Sequence, residues 1–149
     1  MIEQLKTYVI IPILKKLNLY SENAVALLAG TAMTESLGGK YIHQINGPAC
    51  GVYQMEPATA RDILDNYLAY KLDLAAEVRS LYISNLSLED NLTMNFAWAT
   101  AMCRIHYLRV KESIPDTLEG RAAYWKKYYN TSKGKGFTCD YINKAKGVG

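Results

Sequence analysis

The chain has 149 residues, a net charge of +3 and a hydrophobic content of 50%. This length fits a single domain over residues 1–149, which can bury about two-thirds of the surface that the unfolded chain exposes. The three cysteines, Cys50, Cys103 and Cys139, have no metal-ligand spacing, and their odd number excludes a closed disulfide framework. We expect them to be reduced and mostly buried.

The spacing of apolar residues predicts a mainly α-helical fold. The predicted helices cover about residues 3–17 with a kink or late start at Pro12, 22–36, 57–70, 74–82, 88–110, a segment from Asp116 or Thr117 to 129, and a short last helix capped by Thr138. The longest of them, 88–110, is apolar in near-continuous order, which is typical of a helix surrounded by protein. We expect it to be the buried central helix.

The second predicted helix carries the most informative acid in the chain. Ser21 is a suitable N-cap, and almost no polar residue lies between Ala24 and Met33, so this helix is predicted to be buried on nearly all sides. Gly38 and Gly39 are predicted to end it. Glu35 therefore lies at the end of a buried helix, where desolvation raises the pKa of a carboxyl group, as a general acid requires.

The loop after this helix is rich in glycine and is expected to border a groove. Two short extended pieces, 40–45 and 50–55, flank the turn signal Asn46-Gly47-Pro48, which predicts a small β-hairpin. Pro57 is well placed in the first turn of the next helix. Tyrosine offers sugar rings a flat apolar face with a polar tip. Five tyrosines are candidates for such contacts: Tyr41, Tyr53, Tyr124, Tyr128 and Tyr129.

Several kinds of chemistry are excluded by missing motifs. The sequence has no glycine-rich phosphate loop after a strand, no H-E-x-x-H and no G-x-S-x-G elbow. His43 and His106 are isolated, and we interpret both as structural residues. The sequence thus predicts no metal and no cofactor.

Positive charge is concentrated at the C-terminal end. Residues 121–149 contain seven Lys or Arg against Asp140 alone, which gives a net charge of +6. Such a segment is either a solvated face or a surface for an anionic partner such as nucleic acid, acidic lipid or a cell-wall polymer.

Two blocks of the sequence form a specific pattern. The first is Glu35-Ser36, and the second is Gly51-x-x-Gln54-x-x-Pro57-x-Thr59-Ala60. At this separation they resemble the E-S and G-L-M-Q-x-x-P-x-T-A blocks of the soluble lytic transglycosylase and goose-type lysozyme superfamily.

A third block supports the same resemblance. Tyr129-Asn130-Thr131, followed by Gly134 and Gly136, is similar to the A-Y-N-A-G-x-G block of that family. The usual Ala-Gly after the Asn is missing here. The resemblance covers roughly residues 21–146.

The resemblance implies a lysozyme-like fold of the α+β type, with a buried central helix and a small or vestigial β-hairpin beside the active-site cleft. It implies cleavage of the β-1,4 bond between N-acetylmuramic acid and N-acetylglucosamine in peptidoglycan. Glu35 would be the general acid. Ser36 and Gln54 would line or brace the site. Tyr53, already a candidate as a tyrosine, is expected to bind substrate with them. Tyr129 and Asn130 would hold the acid and the adjacent sugar.

Glu56 decides between two mechanisms. Transglycosylases usually have an apolar residue at this position, whereas goose-type lysozymes have an Asp at about this place that helps to position the attacking water. A second carboxylate favours hydrolysis, so Glu56 is a tentative second catalytic residue. The alternative is that Glu56 only caps the helix that starts at Pro57.

Three functions remain open at this point. They are a muramidase, a lytic transglycosylase that forms 1,6-anhydro products, and a non-catalytic glycan-binding or virion structural domain. We expect no signal peptide and no transmembrane segment. The expected setting is that of a phage endolysin, released from the host cytoplasm through a holin, or of a lysin carried in the virion. We expect a monomer that binds glycan strands rather than nucleic acid.

Overall fold

The computed structural model describes residues 1–130 and 134–148, which fold into eight helices. The helices are α1 (Ile2–Leu5, continuing through a π-helical turn at Lys6–Ile10 into Ile11–Lys16), α2 (Glu22–Ser36), α3 (Pro57–Asn66, followed by a 3-10 turn at Leu68–Tyr70), α4 (Leu72–Leu81), α5 (Leu88–Met94), α6 (Phe96–Leu108), α7 (Leu118–Trp125, followed by a π-helical turn at Lys126–Asn130) and α8 (Thr138–Ala145). The prediction of a mainly α-helical fold is confirmed. No helix in the described ranges is both long and apolar enough to cross a membrane.

The connection between α2 and α3 contains very little β-structure. Two isolated antiparallel bridges join Cys50 to His43 and to Met55, and no strand forms in the part of the chain that the structure describes. The predicted hairpin is therefore reduced to these two bridges.

Helix α2 has the predicted bounds and the predicted N-cap, but its C-cap is Leu37 and not a glycine. The Ser21 hydroxyl accepts a hydrogen bond from the Ala24 N–H at 3.0 Å, which satisfies one of the free donors at the helix N-terminus. Leu37 ends the helix in the left-handed conformation with φ of 54°, and Gly38 continues with φ of 70°. Glu35 thus lies in the last turn, where the chain leaves the core.

The long helix predicted over 88–110 is instead two helices, α5 and α6. Asn95 separates them, because its side chain forms hydrogen bonds with backbone groups and so competes with the backbone hydrogen bonds of a continuous helix. Its Oδ1 accepts from the Trp98 N–H at 3.1 Å, and its Nδ2 donates to the Leu81 carbonyl at 2.7 Å. Asn95 is therefore both the end of α5 and the N-cap of α6.

Helix α6 is the central helix of the fold, as predicted. Residues at helical spacing on one side of it, such as Ala99, Cys103 and Tyr107, belong to a core cluster shared with α2. Trp98 and Met102, on another side, belong to a second cluster shared with α3 and α4. Because α6 contributes to both clusters, it joins the two halves of the core.

Other helix boundaries differ from the prediction by a few residues. Helix α1 begins at Ile2. It has a π-helical turn before Pro12 in place of the predicted kink. In a regular α-helix the ring of Pro12 would crowd the carbonyl four residues earlier, and the wider turn lies at that carbonyl. Helix α3 ends at Asn66. Of the two predicted caps, Asp116 and Thr117, Thr117 caps α7, and its hydroxyl accepts from the Gly120 N–H at 3.0 Å. Thr138 is the first residue of α8 rather than its cap.

All three cysteines are free. Cys50 and Cys103 are buried, as predicted, whereas Cys139 is exposed on α8.

Candidate active site

A cleft of about 690 Å³ lies at the end of α2. It is lined by Thr34, Glu35, Gln44, Ala49, Gln54, Met55, Glu56, Thr59, His106, Trp125, Tyr129, Asn130, Gly134, Lys135, Gly136, Asp140 and Lys144. The lining comes from four parts of the chain: the last turn of α2, the 44–59 segment, the end of α6 and the 125–144 segment. The fold thus brings the three sequence blocks together around one cavity.

Glu35 is a partly buried acid inside this cleft. Burial raises the pKa of its carboxyl group from 4.5 to about 7, because the apolar surroundings disfavour the charged form. A hydrogen bond from Trp125 and the positive charge of Lys144 both lower this pKa, but they only partly offset the effect of burial. A substantial fraction of Glu35 is therefore protonated at neutral pH, which a general acid needs.

Trp125 fixes the orientation of this acid. Its Nε1–H donates to Glu35 Oε2 at 2.9 Å, and the indole is 1% exposed. Tyr141 packs against the indole with ring centroids 5.8 Å apart. Trp125 is not among the site residues predicted from the sequence. The signal was available, because Trp125 lies four residues before Tyr129 on the same predicted helix and therefore on the same face.

Ser36 supports the loop rather than lining the cleft. Its side chain is 1% exposed, so of the two expected roles, lining the site or bracing it, its position fits bracing. The hydroxyl donates to the Val52 carbonyl at 2.6 Å and accepts from the Gly39 N–H at 2.9 Å. These bonds join the end of α2 to the second sequence block.

Gln54 lies in the cleft and stabilises its own turn. The residue has φ of 48°, and its Nε2 donates to the Gly51 carbonyl at 2.9 Å. Gly51 has φ of 79°, and a Cβ there would lie 1.9 Å from the Leu92 carbonyl oxygen. Position 51 therefore requires glycine both for its conformation and for its close contact with α5.

Tyr53 does not contact the cleft with its side chain, which corrects the prediction that it binds substrate. The ring is 2% exposed, and its hydroxyl lies 2.8 Å from the Thr100 hydroxyl in the core. Tyrosine fits the core here because α6 supplies a polar partner for its hydroxyl. The Tyr53 carbonyl does have a role, since it accepts a hydrogen bond from the Tyr129 hydroxyl at 2.6 Å.

Tyr129 and Asn130 both line the cleft. Tyr129 stacks on Tyr107 with centroids 5.3 Å apart, and its hydroxyl is occupied by the bond to Tyr53. Asn130 Oδ1 accepts from Lys126 Nζ at 2.6 Å. The hydrogen bond that orients Glu35 thus comes from Trp125, and not from the predicted pair. Thr131, the next residue of the third block, lies outside the described residues.

Glu56 is exposed at the edge of the cleft and is the N-cap residue of α3. Its side chain makes no capping hydrogen bond to the helix. The capping alternative is therefore limited to a favourable charge at the positive end of the helix dipole.

His106 lies in the cleft wall but is a poor proton carrier. Burial first, and then the charge of Arg109, lower its pKa to about 4. Arg109 Nη2 donates to His106 Nδ1 at 2.8 Å, and Arg109 Nη1 pairs with Asp62 at 2.7 Å. The imidazole is therefore neutral at physiological pH, which agrees with a structural role.

Comparisons of the chain with protein-family models, curated proteins and solved structures find no match. Among the described residues, no group of three or more His, Cys, Asp or Glu is placed to hold a metal ion. An interpretation of the site therefore depends on its geometry and on the sequence blocks.

Proposed function

We propose that this protein is a peptidoglycan-degrading glycosidase, a muramidase that cleaves the β-1,4 bond between N-acetylmuramic acid and N-acetylglucosamine. The observation that carries the proposal is the desolvated Glu35 carboxyl, held by Trp125 in a cleft of about 690 Å³. The resemblance of the sequence blocks supports the choice of substrate. In this proposal the protein acts as a phage endolysin or as a virion-associated lysin.

In the proposed reaction, Glu35 protonates the glycosidic oxygen as the bond to the leaving sugar breaks. Trp125 donates to Oε2, which leaves Oε1 to carry the transferable proton. The sugar that remains develops oxocarbenium character, and water then attacks it. Glu56 is exposed and makes no capping bond, so its carboxylate is available to orient that water and to accept the proton that the water releases.

Two alternatives to a muramidase remain: one would give different products, and the other would have no turnover. A lytic transglycosylase would use the same acid but would close the 6-hydroxyl onto the sugar, which gives a 1,6-anhydro ring without a second carboxylate. A binding domain would need no acid of this kind. The rise in the pKa of Glu35 corresponds to about 3 kcal/mol of lost stability above pH 7, a cost that a role as general acid would explain.

The first test is the Glu35→Gln variant in a turbidity assay on chloroform-treated Gram-negative cells. The amide keeps the shape of the side chain but cannot deliver a proton, so lysis should fall by about 10²–10⁴-fold. Glu22→Gln, in the exposed first turn of the same helix, is the matched control and should keep full activity. Activity of Glu35→Gln within about twofold of wild type would refute the assignment.

The second test identifies the reaction. Mass spectrometry of the products of the wild-type protein should show reducing N-acetylmuramic acid ends. Anhydro-muropeptides would show that the reaction is transglycosylation and not hydrolysis, with Glu35 still as the acid. Intact strands after long incubation would favour the binding domain.

A further inference from the structure

Three lysines from the C-terminal part of the chain lie at or beside the cleft, and they differ in what they contact. Lys126 Nζ donates to Asn130 Oδ1 at 2.6 Å and to the Gly134 carbonyl at 3.0 Å, so its ammonium group is engaged with the chain itself. Lys135 and Lys144 line the cleft and are exposed. Within residues 1–130 and 134–148, neither of these two ammonium groups pairs with a carboxylate. They are therefore available to a ligand.

The acid next to them does not neutralise this part of the cleft. Asp140 also lines the cleft, but its Oδ2 accepts a hydrogen bond from the Phe137 N–H at 2.8 Å, at the start of α8. The carboxylate is thus engaged with the positive end of its own helix. At this end of the cleft two lysines thus stand against one acid, while Glu35 and Glu56 also line the cleft.

Helix α8 holds Lys144 in a fixed place near the acid. Tyr141 is fully buried and lies so close to α2 that a Cβ at Gly30 would be 2.2 Å from its hydroxyl oxygen. Lys144 follows Tyr141 by three residues on the same helix, and its charge acts on Glu35. A negative group bound by Lys144 would therefore lie in the same cleft as Glu35.

We propose that Lys135 and Lys144 bind a carboxylate of the substrate and make the cleft selective for anionic glycans over neutral ones. This inference rests on the proposed function. A peptidoglycan strand has two sources of such a group: the carboxylates of the peptide stem, and the lactyl carboxylate that is free on sugars without a stem. Both would form charge-assisted hydrogen bonds with the ammonium groups.

The experiment measures binding in the Glu35→Gln background, so that no ligand is consumed. Three ligands of equal length are titrated calorimetrically: glycan oligomers with peptide stems, the same oligomers after an amidase has removed the stems, and neutral N-acetylglucosamine oligomers. Lys135→Gln and Lys144→Gln should each weaken binding of a carboxylate-bearing ligand about fivefold, and leave binding of the neutral oligomer unchanged. An effect that disappears with the stem identifies the stem carboxylate, and one that persists identifies the lactyl group.

Lys146→Gln is the matched control, because it removes the same charge from the same segment outside the cleft lining. The proposal is wrong if all three substitutions weaken binding equally, if the neutral oligomer is affected to the same extent, or if no ligand responds.

Cleavage of the same strands by the wild-type protein, assayed in parallel, reports separately on the proposed function. Cleavage without lysine-dependent binding would refute the carboxylate site and leave the function standing. Lysine-dependent binding without cleavage would support the carboxylate site and refute the proposed function.

Discussion

The indole N–H of Trp125 donates to Glu35 Oε2 over 2.9 Å and so connects residues that are 90 positions apart in the chain. This contact opposes the effect of burial on the same carboxyl group, because a donor stabilises the ionised form. The pKa of Glu35 is thus a balance between burial and one specific side chain.

Trp125→Phe should raise the pKa of Glu35 above about 7, because the donor is lost while the apolar surroundings remain. A general acid works when protonated, so the alkaline limb of the pH–rate profile should move to higher pH. The profile of kcat/KM checks this for the free enzyme. Trp98→Phe is the control, since Trp98 is equally buried but belongs to the other core cluster. An alkaline limb that stays in place, or moves to lower pH, would contradict the role of the hydrogen bond.

Glu35→Gln should make the protein more stable than wild type at pH 8. The folded state holds the Glu35 proton up to about pH 7, whereas an ordinary glutamate releases it near 4.5. The contribution of this proton to stability is therefore complete below pH 4.5 and is lost as the pH rises through about 7. The variant should exceed wild type by up to about 3 kcal/mol at pH 8 and by little at pH 4.5.

Urea unfolding at both pH values checks this prediction. His106, whose pKa is lowered, changes stability in the opposite direction over part of the same range, but it is present in both proteins and cancels in the difference. A stability difference that does not change with pH would show that Glu35 is not desolvated.

Glu56→Ala should reduce turnover at least tenfold, about 1.4 kcal/mol of barrier, if this carboxylate orients the attacking water. The melting temperature should change little, because the side chain makes no capping hydrogen bond. Asp73→Ala, in the exposed first turn of α4, is the matched control for loss of a charge near a helix N-terminus. A lower melting temperature with unchanged turnover would assign Glu56 to the helix cap instead.

Gly51→Ala should strongly destabilise the fold, because the new Cβ would lie 1.9 Å from the Leu92 carbonyl oxygen and the residue has φ of 79°. Gly147→Ala separates the two causes. Gly147 has a similar φ of 81°, but nothing lies within 4 Å of a Cβ there. Thermal unfolding of both variants should show a small loss, about 1 kcal/mol, for Gly147→Ala and a much larger one for Gly51→Ala. Equal losses would mean that the contact with α5 is unimportant.

Local signals in the sequence were sufficient for much of the helical framework. Ser21 and Thr117 cap helices as predicted, and α2 has the predicted bounds, because an N-cap followed by a long apolar run is specified by neighbouring residues. The same run was enough to predict that Glu35 is desolvated. Asn95 could not be predicted as a helix break, because its competing bond to Leu81 comes from another helix.

The roles of individual site residues depended on tertiary structure. Ser36 and Tyr53 are part of a motif block, but whether they face the cleft or the core is decided by Val52 and Thr100, which are their partners in the folded chain. Trp125 reaches Glu35 only because α7 and α2 pack in the same core cluster. The sequence by itself determined which residue is the desolvated acid, since burial of α2 follows from its composition. Only the packing of distant helices decided which side chain orients that acid, because a hydrogen bond requires two atoms to meet within about 3 Å.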